Sequence, residues 1–181
     1  MKQGLVGFSN NKKSFLSKLI RFFTKSNISH TFIIGHETAG EVSVLEADMV
    51  VRHCPLAPYY EKNETEQYWL YEINPAIVSQ ERVNESVDYC YKEFAGYKYG
   101  FTQLIWFVYR WLNDLIKRDV RKKKNWMADG VICSELVYHF LVHCGLGHLV
   151  EAWNPDTIQA EDIQKIVKER TDIFTLVYKK E

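Results

Sequence analysis

The sequence predicts an α+β fold: an antiparallel sheet with one cysteine-bearing helix packed against it. Two apolar, β-branched runs at 31–35 and 42–47 flank a short loop containing Gly40, the pattern of a β-hairpin. From Cys133, apolar residues recur at Leu136, Val137, Phe140, Leu141 and Cys144, the one-face spacing of an amphipathic helix, with Gly130 ahead of it and Gly145 behind. The 181 residues are 46% hydrophobic and 14% aromatic, which suits one packed domain spanning 1–181 and argues against disorder.

In chain order, residues 4–9 are β-like. Residues 12–24 carry Phe15, Leu16, Leu19, Ile20, Phe22 and Phe23 at helical spacing with lysines between, read as a surface helix with its apolar side on the core. The hairpin follows a polar break at Ser26, Asn27 and Ser29. Residues 49–52 continue as a third strand, ended by Pro55 and Pro58. Residues 67–73 form another strand, stopped by Asn74-Pro75. Residues 76–94 are helical, with Ile77, Val83, Val87, Tyr91 and Phe94 turned inward. Gly96 and Gly100 bound an aromatic loop holding Tyr97 and Tyr99. Residues 101–116 are strongly apolar but interrupted by Gln103, Arg110 and Asn113, which reads as a buried or half-buried helix rather than a membrane span. A short helix at 159–167 and a strand at 173–179 close the chain.

Composition narrows the functional classes. Lys plus Arg and Asp plus Glu both number 23, so net charge gives no reason to expect nucleic acid as the main partner. The basic stretch 117–124 is read as a solvated loop in preference to a contact with acidic lipid or nucleic acid. Cys54, Cys90, Cys133 and Cys144 show neither CxxC pairs nor regular spacing, so reduced thiols are expected rather than disulfides or a zinc ribbon. No signal peptide or membrane-spanning run is evident, and a cytoplasmic location is expected. No cofactor is expected. His139 and His143 stand four apart on a helix, but no glutamate follows the first, and a plain helix surface is preferred to a metal site.

Cys133 stands at a helix start, where unpaired backbone N–H groups and the helix dipole favour an anion, so it is the candidate nucleophile. A base within hydrogen-bond reach and a third group to orient it would complete the site. His30 opens the first hairpin strand, where a polar side chain can project from the sheet end. Pairing Ile34 with Val42 would set His30 directly across from Glu46, on one face and about 5 Å apart at Cβ. A one-residue slip would turn Glu46 to the other face. Tyr97 or Tyr99 would add a hydroxyl to the pocket or line it, with plain packing an equal alternative.

The segments Ser29-His30-Thr31-Phe32-Ile33-Ile34-Gly35, Val44-Leu45-Glu46-Ala47, Gly96 to Tyr99 and Ile132-Cys133-Ser134-Glu135-Leu136-Val137 together resemble the circularly permuted branch of the NlpC-type papain-like hydrolases. That group includes the YiiX-type proteins and, more remotely, lecithin retinol acyltransferase. The histidine strand precedes the cysteine helix there, as it does here. The resemblance implies a permuted papain-like fold, Cys133 as nucleophile, His30 as base, Glu46 as orienting residue and Tyr99 near the pocket. It implies a cysteine hydrolase of the amidase, peptidase, thioesterase or acyltransferase type, acting on a peptide, small-molecule or lipid-linked amide or ester. The competing expectation is a non-catalytic binding module on the same fold, using the basic and aromatic surface.

Overall fold

The computed structural model describes residues 1–11, 14–38, 40–56, 66–125 and 128–180, with Thr38 and Glu66 described by backbone alone. Pro58, expected to help end the third strand, and Lys12 and Lys13, expected to begin the first helix, lie outside the described residues. Six strands build one antiparallel sheet: β1 (Val6–Asn11), β2 (His30–Thr38), β3 (Glu41–Ala47), β4 (Val51–Pro55), β5 (Glu66–Ile73) and β6 (Phe174–Lys180), in the order β4-β3-β2-β1-β5-β6. Five α-helices accompany them among the described residues: α1 (Phe15–Thr24), α2 (Gln80–Phe94), α3 (Gln103–Leu115), α4 (Cys133–Leu141) and α5 (Ala160–Glu169).

Strand side chains alternate between the two sheet faces, and that alternation divides the core. Val6, Phe8, Ile33, Leu45 and Tyr71 belong to the larger cluster, and Leu5, Phe32, Ile34, Val44 and Leu70 to the smaller. Helix α4 lies on the larger one and buries Leu136, Val137, Phe140 and Leu141 completely. Beyond Leu141 the chain winds more widely until Gly145, whose φ of 85° ends the helical run where a side chain would be strained.

Helix α2 begins later than its apolar pattern does. Asn74 holds Ile77 and Val78 in a turn through its carbonyl, and Ser79 Oγ then accepts the Arg82 N–H at 3.2 Å as the cap. Its buried side is Val83, Ser86, Val87, Cys90 and Phe94, while Ile77 and Tyr91, expected inside, are exposed. Tyr91 instead meets the His53 ring edge-on at 4.5 Å.

The larger departure is in α1, whose apolar stripe points outward, and in α3, which buries Trp106 and Phe107 but leaves a second apolar stripe outside. Ser17 is the buried residue of α1, donating to Ser29 Oγ at 2.6 Å, while Phe15, Leu16, Leu19 and Phe22 are exposed. In α3 the inward positions include Gln103, Arg110 and Asn113. Gln103 Nε2 donates to the Gly130 carbonyl at 2.7 Å, Arg110 Nη2 to Asp162 Oδ1 of α5 at 2.9 Å, and Asn113 Nδ2 to the Tyr109 carbonyl at 2.7 Å. These bonds fix which side faces the protein, and the stripe through Ile105, Leu112 and Leu115 is left outside.

Candidate active site

Cys133 is the first residue of α4, so its N–H belongs to the turn whose backbone donors have no acceptor within the helix. The preceding N–H, of Ile132, reaches Glu135 Oε2 at 3.4 Å, and this carboxylate closes the helix start. Burial, then Asp156, pushes Glu135 up to about 7. Ser134 Oγ ties the same turn to the Ile158 carbonyl at 2.6 Å. The cysteine is 5% exposed.

His30 stands at the end of the sheet, opposite Ser9 of β1. Its Nε2 donates to Glu46 Oε2 at 3.2 Å, and the ring lies beside the Cys133 side chain, close enough for the two to interact electrostatically. With Nε2 committed to the carboxylate, Nδ1 is the ring nitrogen left for sulfur. Burial opposes a charged ring, but the Cys133 sulfur and the Glu46 carboxylate outweigh it and hold His30 well above the ordinary histidine range. Three residues separated by up to about a hundred positions thus meet in one row.

The register that achieves this is not the expected one. Ile34 pairs with Val44 rather than Val42, and the pairing shifts by one residue between Ile34 and Glu37. The turn end, with Glu37 on Val42, would by itself put Glu46 on the face opposite His30. The bulge removes that odd residue and restores the parity. Glu46 therefore sits one diagonal step from His30, within reach of a long side chain, rather than directly across. Gly35 lies in the bulge, where a Cβ would come within 2.5 Å of Ser43 Oγ.

Glu46 is fully buried, and the sequence reading missed what makes that tolerable. Besides His30, it accepts Arg52 Nη2 at 3.1 Å, Arg52 Nε at 3.3 Å and Cys54 Sγ at 3.2 Å. Burial raises a carboxyl, yet these bonds, His30's foremost, lower Glu46 from 4.5 to about 2. Cys54 is pushed up to about 12 by burial and by Glu46, so it stays a protonated donor. Glu46 pairs with Arg52 and Val44 with Cys54 across β3 and β4. The signal was present in the third strand, whose alternate positions 52 and 54 share a face with position 46.

The aromatic loop is stitched between β4 and the approach to Cys133. Tyr99 N–H reaches the Met49 carbonyl at 3.1 Å, and Val131 N–H reaches the Lys98 carbonyl at 3.0 Å. Gly130 permits that approach, since a Cβ there would stand 2.3 Å from the Lys98 oxygen. A cavity of about 310 Å³ opens beside His30, lined also by Tyr99, Asp48, Met49, Ser9 and Leu16. It continues towards Cys133 as a crevice of about 10 Å³ between Ile20 and Thr24 of α1, Tyr99, and Phe107 of α3. Burial above all, then the neighbouring Cys133 and Asp48, holds the Tyr99 phenol well above its ordinary range. Tyr97 takes no part in either space. Its alternate position in the loop turns it out, half-exposed, against Phe94 with centroids 6.0 Å apart.

The remaining histidines lie elsewhere. His143 Nδ1 meets Ser86 Oγ at 3.0 Å and stacks on Tyr89, and His139 packs on Phe94. His36 Nε2 pairs with Asp88 Oδ1 at 2.6 Å on the surface. Among the described residues, no group of three or more His, Cys, Asp or Glu side chains is placed to hold a metal ion.

No family profile and no curated protein matches the chain. Its fold is similar to the crystal structure of the metalloprotein YiiX from Escherichia coli O157:H7 (DUF1105). The two superpose with a TM-score of 0.57 at 18% sequence identity, covering 99% of this chain and 97% of that one. The likeness is one of fold over nearly the full length of both, and it supports the YiiX-like part of the resemblance. The match says nothing of the wider permuted papain-like assignment.

Proposed function

We propose that this chain is a cysteine-dependent hydrolase or acyltransferase acting on an amide or ester. The observation that carries the reading is the convergence of Cys133, His30 and Glu46, with His30 hydrogen-bonded to Glu46 and the sulfur beside the ring at a helix N-terminus. A thiolate–imidazolium pair supplies nucleophile and acid together. Sγ adds to the carbonyl carbon, and the oxygen takes the negative charge beside the free N–H of the first α4 turn. As the tetrahedral adduct collapses, the bond to the leaving nitrogen or oxygen breaks and His30 gives it a proton. Water, or an acceptor alcohol or amine, then loses a proton to His30 and attacks the acyl-enzyme, releasing Sγ as thiolate. Glu46 stays ionised throughout and holds the ring by Nε2.

Tyr99 and the cavity beside His30 form the acyl or leaving-group subsite in this reading. YiiX is described as a metalloprotein, but the described residues here assemble no donor set of that kind, so no step passes through a metal. The test is intact-mass detection of a covalent adduct across a panel of amide, ester and thioester probes. One acyl group on Cys133 is expected, lost in Cys133→Ala and slowed about a hundredfold or more in His30→Ala. A folded protein that forms no adduct with any probe overturns the enzyme reading and leaves the binding module.

A further inference from the structure

Helices α1 and α3 lie side by side, with Trp111 of α3 against Phe23 and Phe22 of α1 at centroid distances of 5.7 and 6.3 Å. Helix α1 is inverted, and α3 is apolar on both sides, with Trp106 and Phe107 buried and a second stripe left outside. On α1, Phe15 is 79% and Phe22 65% exposed, with Leu19 between them. On α3, Ile105, Leu112 and Leu115 follow one another at helical spacing on the outside, and Ile116, just past the helix end, is 70% exposed. Exposed large apolar side chains gathered on two adjoining helices are unusual for a surface that meets only water.

The charges around the strip are mainly positive. Lys18 stands within the α1 stripe, Lys25 follows the end of α1, and Lys117 and Arg118 follow the end of α3. All four are exposed, and none pairs with an acidic group among the described residues. The exposed Lys122, Lys123 and Lys124 continue the run, while Asp119 is neutralised by Arg121 and Asp114 remains as the opposing charge. No helix among the described residues is long and apolar enough to cross a membrane. An apolar strip with aromatic side chains and a basic border matches what lies flat in the interface of an anionic bilayer.

We propose that the outer face of α1 and α3 docks on an anionic lipid bilayer. Phe15, Leu19, Phe22, Leu112, Leu115 and Ile116 enter the headgroup–acyl boundary, and the lysines and Arg118 meet lipid phosphate and carboxylate. The opposite sides of these two helices wall the crevice above Cys133 through Ile20, Thr24 and Phe107. Docking therefore sets the mouth of that crevice at the lipid surface, whatever chemistry the site performs.

Co-sedimentation with vesicles of phosphatidylcholine alone and of phosphatidylcholine with phosphatidylserine tests it. Binding to the phosphatidylserine vesicles is expected, falling as salt is raised. A Phe15→Ser, Leu19→Ser, Phe22→Ser variant should bind at least about tenfold more weakly while keeping its circular dichroism and melting point. Lys117→Glu with Arg118→Glu should lose about tenfold on phosphatidylserine vesicles. Cys133→Ala should bind like the unaltered protein, so failure of the catalytic reading leaves docking standing. Absence of vesicle binding, or equal binding by the triple-serine variant, overturns the proposal. So does a homodimer in light scattering that this variant dissociates, because the strip would then be a self-association surface.

Discussion

Helices α4 and α1 carry the same kind of sequence pattern and do opposite things with it. In α4 the apolar face is fully buried on the sheet, and the polar features at its tip are placed: Glu135 bonds the helix entry, Ser134 bonds Ile158, and Cys133 lies beside His30. In α1 the residue that goes inside is Ser17, and the phenylalanines go out. Periodicity states that a helix has two unlike faces. It does not state which face meets the protein, because that choice depends on what stands opposite. For α4 the neighbour is an apolar sheet. For α1 it is the polar edge near Ser29 and an α3 already anchored by Gln103 and Arg110.

Stability measurements can break this contrast. Phe140→Ala on α4 should cost about 3–5 kcal/mol in urea unfolding, as expected for emptying a filled core site. A cost near zero would mean that α4 is not seated as described. Next in size, Glu46→Gln should cost about 1.5–3 kcal/mol by weakening charge-assisted bonds to His30, Arg52 and Cys54. This effect has a pH signature. The folded carboxyl titrates near 2 against 4.5 ordinarily, so its stabilisation is complete above about 4.5 and vanishes as pH falls through 2. The gap between wild type and variant should therefore close between those values, and a constant gap would contradict the pairing.

The same variant sharpens the comparison at the tip of α4. His30, held above its ordinary 6.5, should titrate lower in Glu46→Gln when its ring protons are followed by NMR. An unchanged midpoint would detach Glu46 from the histidine. Removing the fourth bond, in Cys54→Ala, should cost only about 1 kcal/mol, measured by the same unfolding transition. Smallest of all, Phe22→Ser on α1 should change stability by no more than about 0.5 kcal/mol, since the ring is mostly in solvent. A loss of several kcal/mol there would mean that α1 buries its stripe after all.

Much of the site was legible in residue order. The hairpin, the third strand and the helix opening at Cys133 follow from short-range patterns, whereas the pairing of His30 with Glu46 was reached through a register that the bulge replaces. Cys54 was missed because the third strand was read as 49–52, whereas β4 runs on to Pro55, and Arg52 because the β3–β4 register that sets it across from Glu46 was not assigned. Tyr97 and Tyr99 were equivalent by sequence. The backbone bonds from Met49 and Val131 separated them, fixing which of two alternating positions faces the cavity.

By itself the sequence determined the type and approximate extent of the elements, since helix and strand periods, caps and breakers act over a few residues. It also determined which side chains could do chemistry. Tertiary structure decided the parity of the β2–β3 register, set by a bulge at Gly35 whose effect on the register depends on both strands. It alone decided that α1 turns its apolar side to the outside and that α3 keeps an apolar stripe exposed behind its buried Trp106 and Phe107. Both are contests between distant partners, and their outcome depends on free energies of packing and pairing that arise only once the chain has closed on itself.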